Sequence, residues 1–312
     1  MTLEVRDLGI TLGAASIVED VSFSVPAGRT LGLVGESGAG KSLTSMAIPG
    51  LLPPEASARG SIKLMGRELV GLGNAELLRV RGKQIGVVFQ EPRQSFNPAF
   101  TVGEQIAETL RWHESLGRRA AHTRAVELLG EVGIDRPSER AHDYPHTFSG
   151  GMLQRAMIAM AIACRPALLI ADEPTSALDV TVQAQILRLL RRLQKSLGMA
   201  MLFVSHDLGT VAQVCDEVAV MYAGQIVEHS DALALFSRPC HPYTEGLLRS
   251  VPDVRARGAD LYSIPGSMPL AGRHPAGCRF APRCPYALDA CRTAPDARCI
   301  RIAELSLTGV RA

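Results

Sequence analysis

Gly35-Glu36-Ser37-Gly38-Ala39-Gly40-Lys41-Ser42 is the stretch that decides the fold. It fits G-x-x-x-x-G-K-[ST], in which glycines let the backbone curl until successive N–H groups face phosphate oxygens. Its flanks agree with that reading. Thr30 to Val34 is a short apolar run with strand character, and Lys41 to Ile48 reads as a helix whose dipole adds positive potential at the loop. In this arrangement Lys41 is placed to reach the β- and γ-phosphates of a nucleotide, and Ser42 to ligate Mg²⁺.

Working outward, apolar runs of the same kind recur at Ile85 to Phe89, Leu168 to Ala171, Ala200 to Val204 and Val218 to Tyr222, with a helical stretch at Val180 to Leu197. Such alternation predicts an α/β fold, a P-loop NTPase core with a mostly parallel sheet. Between Pro92 and Pro166 strand signals give way to helical periodicity in Val102 to His113, His122 to Val132 and Met152 to Cys164, which predicts a helical subdomain inserted at about 92–165. After Phe236 prolines recur and periodicity fades. The expected division is a nucleotide-binding domain at 1–235 and an irregular C-terminal extension at 236–312, too poor in core-forming residues to order itself.

The chain's 312 residues, 46% of them hydrophobic, suffice for one large or two modest folded units. With 33 basic and 31 acidic side chains the formal charge is +2, so no long-range field favours nucleic acid, and none is expected as a partner. The most apolar helical stretch, Ala156 to Cys164, is cut off by Arg165 and Pro166, well short of a membrane span. Met1 to Asp7 has neither a basic start nor an apolar core, so a cytosolic placement is expected. There are 7 cysteines, and in a reducing compartment their crowding between Cys278 and Cys299 favours thiols or metal ligands over disulfides.

A phosphate-binding loop needs a second acidic element on a neighbouring strand. Leu168-Leu169-Ile170-Ala171-Asp172-Glu173 supplies one: Asp172 is the candidate Mg²⁺ ligand and Glu173 the candidate base for the attacking water. Taken alone, this segment reads equally well as a strand ending in a charged turn; the glycine loop upstream decides for catalysis. Neither Asn74 nor Asn97 is followed by lysine, so the base-reading motif of small GTPases is absent.

Phe148-Ser149-Gly150-Gly151-Met152, upstream of the acidic strand, resembles the signature motif of the ATP-binding cassette (ABC) ATPases. The resemblance implies that two subunits pair head to tail, with Ser149, Gly150 and Gly151 of one closing over the γ-phosphate held by the other. Gln90 resembles the family glutamine that senses Mg²⁺ and the attacking water. Ser176-Ala177-Leu178-Asp179 resembles the loop that crosses the dimer interface, and His206 the switch histidine that meets the γ-phosphate. Singly, each has a plainer reading: a solvated strand end, an N-cap for the following helix, a structural loop histidine. Their order along the chain supports the family reading. One position departs from it. The aromatic ring that stacks on adenine has no counterpart between Met1 and Val21, which leaves Leu12 and Val18 as the candidate apolar contacts to the base.

Arg238-Pro239-Cys240-His241-Pro242-Tyr243-Thr244-Glu245-Gly246-Leu247-Leu248 is similar to the C-terminal extension of the oligopeptide and dipeptide importer branch, whose relatives also carry nickel and other small solutes. Apart from that likeness, His-Pro-Tyr reads as a turn and a short helix. Cys278-x5-Cys284-x6-Cys291-x7-Cys299 could hold Zn²⁺ or an iron–sulfur cluster, or stay unligated. Arg279, Arg283, Arg292 and Arg298 would offset the charge of either group. The resemblance implies a [4Fe-4S] cluster at Cys278, Cys284, Cys291 and Cys299. It also implies an ATP-hydrolysing importer subunit, peripheral on the cytoplasmic face of the inner membrane. Its partners would be two transmembrane permeases, a second ABC ATPase (a sister chain or a copy) and, indirectly, an external solute-binding protein. The helical insert and the loop from Arg93 to Phe100 would face the permeases. Peptides are the expected cargo and nickel or another small solute the alternative. A soluble ABC ATPase outside transport would carry two cassettes or a long coiled-coil insertion, and this sequence has neither.

Overall fold

The computed structural model describes residues 1–176, 178–251, 262–293 and 297–309. Its strands are β1 (Leu3–Leu12), β2 (Ala15–Val25), β3 (Thr30–Val34), β4 (Ala56–Leu64), β5 (Arg67–Glu68), β6 (Ile85–Val88), β7 (Leu168–Asp172), β8 (Ala200–Ser205), β9 (Glu217–Tyr222) and β10 (Gln225–Asp231). The helices are α1 (Lys41–Ala47), α2 (Asn74–Val80), α3 (Pro92–Ser95), α4 (Val102–Glu114), α5 (Arg118–Glu131), α6 (Pro137–Arg140), α7 (Gly150–Ile162), α8 (Val180–Leu197), α9 (Leu208–Val214), α10 (Ala232–Ser237) and α11 (Pro242–Arg249).

The main sheet has the order β10-β9-β3-β8-β7-β6, parallel throughout except for β10 against β9. Every residue of β3, β7 and β8 is buried, as a parallel sheet covered on both faces requires. Side-chain alternation divides these strands between two cores. Val34, Leu169, Ala171, Met201 and Phe203 pack with α4, α5, α7 and α8, whereas Leu31, Leu33, Leu168, Ile170, Leu202 and Val204 pack with α1 and a second sheet.

That second sheet was not legible in the sequence. It is antiparallel, in the order β2-β1-β4-β5, and its pairings carry register shifts that break the simple alternation of a regular strand. The expected helical insert is present as α3 to α7 between β6 and β7. Helix α4 starts with a capping box: Thr101 accepts from the Glu104 N–H while Glu104 reaches back to Thr101. Helix α8 presents Ile186, Leu187, Leu190 and Leu193 to the core and ends at Gly198 with φ +64°.

The extension corrects one expectation. It does not rely on a metal for all of its order, because it docks its own apolar residues on the nucleotide domain. Tyr243, Leu248 and Phe280 are buried in the core that holds Tyr222 of β9, and the three aromatic rings pack with centroids 4.6 Å (Tyr222–Tyr243), 5.2 Å (Tyr222–Phe280) and 5.4 Å (Tyr243–Phe280) apart. The buried Glu228 of β10 accepts hydrogen bonds from the backbone N–H groups of Cys240 (2.7 Å) and His241 (2.9 Å), fixing the chain where the extension begins. No helix among the described residues is long and apolar enough to cross a membrane.

Candidate active site

Because β3, β6, β7 and β8 run parallel, the loops at their carboxyl ends share one edge of the sheet, where ligands of open α/β folds bind. The glycine loop follows β3, Gln90 follows β6, Glu173 follows β7 and His206 follows β8. The loop needs its glycines. A Cβ on Gly35 would lie 2.1 Å from the Met221 carbonyl oxygen, and Gly40, the residue before α1, has φ +103°. Gly35, Glu36, Ser37, Gly38, Gly40, Lys41 and Ser42 line a single pocket with Gln90, Glu173 and His206, while Ala39 is buried beneath it.

Inside the pocket, polar groups converge on Glu173. Gln90 Nε2 donates to its Oε2 at 3.0 Å, and His206 Nδ1 lies 2.9 Å from its Oε1. Glu173 has φ +46°, a strained backbone for a residue with a side chain. Lys41 is buried and donates to the carbonyl oxygens of Gly35 (2.9 Å) and Glu36 (3.0 Å). Burial lowers its pKa, against the opposing pull of Glu173, Asp172 and Glu36. Asp172 lies deeper. Burial raises its pKa, hydrogen bonds from Ser42 and Ser45 lower it, and the charge of Glu173 raises it again. Its Oδ1 is buried with no hydrogen-bond partner. A buried, unpartnered carboxylate oxygen beside a serine hydroxyl and a phosphate cradle suits a hard divalent cation, so Asp172 and Ser42 fit Mg²⁺.

Other expected site residues lie elsewhere. Ser149 caps α7, its Oγ accepting from the Met152 N–H at 3.3 Å, and Gly150 and Gly151 form the first turn; none of the three lines the pocket. Asp179 caps α8, accepting from the N–H groups of Thr181 (3.1 Å) and Val182 (3.0 Å), as the plainer reading had it. Ala177, within that loop, lies outside the described residues. Leu12 and Val18 do not line the pocket: Leu12 is exposed at the end of β1, and Val18 is fully buried with a methyl group against Gly40 of the loop. By strand alternation Ile17 faces the pocket instead, and Leu247 of α11 joins it.

Cys278, Cys284, Cys291 and Cys299 all line one small cavity beside His241 and Phe280. Burial raises the pKa of Cys278, Cys284 and Cys299, that of Cys284 to about 11, and nearby thiols add to the shift. Among the described residues, however, no group of three or more His, Cys, Asp or Glu side chains is placed so that it could hold a metal ion. The expected metal site is therefore not borne out, and the zinc alternative loses its support. Four thiols around one cavity are nonetheless the donor type that an iron–sulfur cluster takes.

Sequence reasoning also missed two groups behind the glycine loop. Tyr243 Oη accepts from the Glu36 N–H at 2.8 Å, and Arg283 Nη1 lies 3.0 Å from the Glu36 carboxylate.

Residues 18–176 match the ABC transporter family, and residues 227–291 match the oligopeptide/dipeptide transporter C-terminal region. The chain is 48% identical to the oligopeptide transport ATP-binding protein OppD of Salmonella typhimurium, covering 94% of this chain and 89% of that one. It is 51% identical to OppD of Bacillus subtilis over 92% of this chain and 82% of the relative. The chain belongs to the ABC transporter family. A solved ABC cassette, dimeric MJ0796 bound to ADP and Pi in a post-hydrolysis state, superposes with a TM-score of 0.66 at 24% identity, covering 74% of this chain and 98% of that one, which speaks for the fold alone. As an ABC ATPase the chain binds and hydrolyses ATP, and ABC subunits of this kind dimerise and work with transmembrane permeases.

Proposed function

We propose that this ABC ATPase powers the import of di- and oligopeptides across the cytoplasmic membrane, bound peripherally to the cytoplasmic face of two permeases. The observation that carries the mechanism is the convergence of Gln90 and His206 on the two oxygens of Glu173, at the open edge of the glycine loop. In this reading the N–H groups of the glycine loop, apart from that of Glu36, which donates to Tyr243, cradle the phosphates, and Lys41 exchanges its carbonyl partners for phosphate oxygens. Ser42, Asp172 and Gln90 would hold Mg²⁺, which would neutralise charge on the β- and γ-phosphates. Glu173 accepts a proton from the attacking water, His206 orients the carboxylate and meets the γ-phosphate, and Gln90 positions the water. Ile17 gives the base an apolar contact.

Ser149, Gly150 and Gly151 act in trans: a serine and two glycine backbone N–H groups at a helix N-terminus suit an anion, and they lie outside the chain's own nucleotide pocket. Asp179 belongs to the same interface. The partner ATPase is a sister chain or a second copy, and an external binding protein delivers the cargo. The exposed aromatic residues Phe100 and Trp112 support the helical insert and the loop from Arg93 to Phe100 as the permease contact. Residues 1–235 form the nucleotide-binding domain and 236–312 the branch-specific extension, in which Cys278, Cys284, Cys291 and Cys299 hold a [4Fe-4S] cluster as a structural node.

The peptide reading is supported by the extension's match and by the names of the relatives. Disruption of the chain in its own cells should abolish uptake of labelled tri- and tetrapeptides. Unchanged peptide uptake with lost nickel accumulation would move the cargo to the alternative.

A further inference from the structure

The extension grips the phosphate-binding loop from behind at Glu36. Glu36, the second position of the loop, is held twice. Its N–H donates to Tyr243 Oη at 2.8 Å, and its carboxylate pairs with Arg283 Nη1 at 3.0 Å. Tyr243 is fully buried, and the Arg283 side chain is only 6% exposed. Arg283 is itself fixed by the carbonyl oxygen of Pro265 (2.9 Å) and by Tyr222 Oη (3.4 Å). From the other side, the Glu36 carbonyl oxygen accepts from Lys41 Nζ. One peptide segment thus carries the extension's grip on its N–H and side chain and the catalytic lysine on its carbonyl.

We infer that Tyr243 and Arg283 are positioning residues for ATP, holding the first turn of the phosphate cradle through Glu36, so that the C-terminal extension is a working part of the nucleotide site. A buried tyrosine hydroxyl and an ion pair whose arginine side is buried restrict the loop before the nucleotide arrives, and a preorganised cradle loses less freedom on binding. A packing role alone would change stability without changing affinity. The two roles are therefore separable.

The inference rests on the ATP reading of the pocket, and the experiment keeps the two apart. Equilibrium binding of Mg-ATP to the purified full-length chain is measured alongside its Tm for the wild type, Tyr243→Phe, Glu36→Gln, Arg283→Gln and the Glu36→Gln/Arg283→Gln double variant. Tyr243→Phe keeps the ring and removes one hydrogen bond, so Kd should rise about fivefold. Glu36→Gln should weaken binding by a similar factor, and in that background Arg283→Gln should add nothing to Kd, because the pair is already broken. If Arg283→Gln does not fold, Tyr243→Phe and Glu36→Gln decide. Folded variants whose Kd stays within about twofold of the wild type would overturn the positioning role, as would an additive cycle. A wild type that binds no ATP would sink the ATP reading together with it.

Discussion

Replacing Glu173 by glutamine isolates the chemical step from everything else in the pocket. The amide keeps the volume and can keep both contacts: its oxygen can accept from Gln90 Nε2, now 3.0 Å from Oε2, while its NH₂ faces His206 Nδ1, now 2.9 Å from Oε1. Folding and the loop geometry should therefore persist. What disappears is the proton acceptor. Loss of a positioned general base costs about 10²- to 10⁴-fold in rate, or about 3–5 kcal/mol in the barrier. ATP affinity should hold or rise, because removing the Glu173 charge relieves its repulsion of the γ-phosphate. The fall should thus lie in kcat, with KM unchanged or lower. Pre-steady-state phosphate release gives the rate, and gel filtration with Mg-ATP shows whether an ATP-bound dimer accumulates. A kcat within about tenfold of the wild type, with binding intact, would refute the assignment of Glu173 as base.

Stability should fall on acidification through His241, whose burial lowers its pKa to about 4 from 6.5. The unfolded chain binds that proton first, so stability is full above about pH 6.5 and is lost toward pH 4, by about 2 kcal/mol between pH 7 and 5. Denaturant titrations should show this component, and it should vanish in His241→Asn, where an amide oxygen can take over the Tyr243 N–H that Nδ1 now accepts. For the cysteines, anaerobically purified protein should be brown and contain iron, and Cys284→Ser should lose both colour and iron while leaving the cassette folded. Colourless wild-type protein without iron would end the cluster proposal.

Local signals carried most of the site. Thr30–Val34 and Val180–Leu197 occupy the spans read from periodicity, and Lys41, Gln90, Glu173 and His206 meet because each follows a strand that parallel pairing brings to one edge. What stayed hidden was non-local or depended on side-chain parity. The sequence alone does not show the parity of β2: alternation along that strand buries Val18 and turns Ile17 to the pocket. Tyr243 and Arg283 approach Glu36 from 207 and 247 residues away in sequence, and no period or motif spans such separations. The cysteine cavity could be foreseen from crowding, but its contents could not.

Glu173 carries a further consequence in its backbone. A residue with a side chain at φ +46° holds a conformation that glycine or asparagine adopts with less strain, and the relief is worth about 1 kcal/mol. Selection for heat resistance alone would therefore drift toward those residues at 173, and the hardier survivors would be idle enzymes. Any thermal-improvement campaign on this subunit needs turnover as a second gate at that codon.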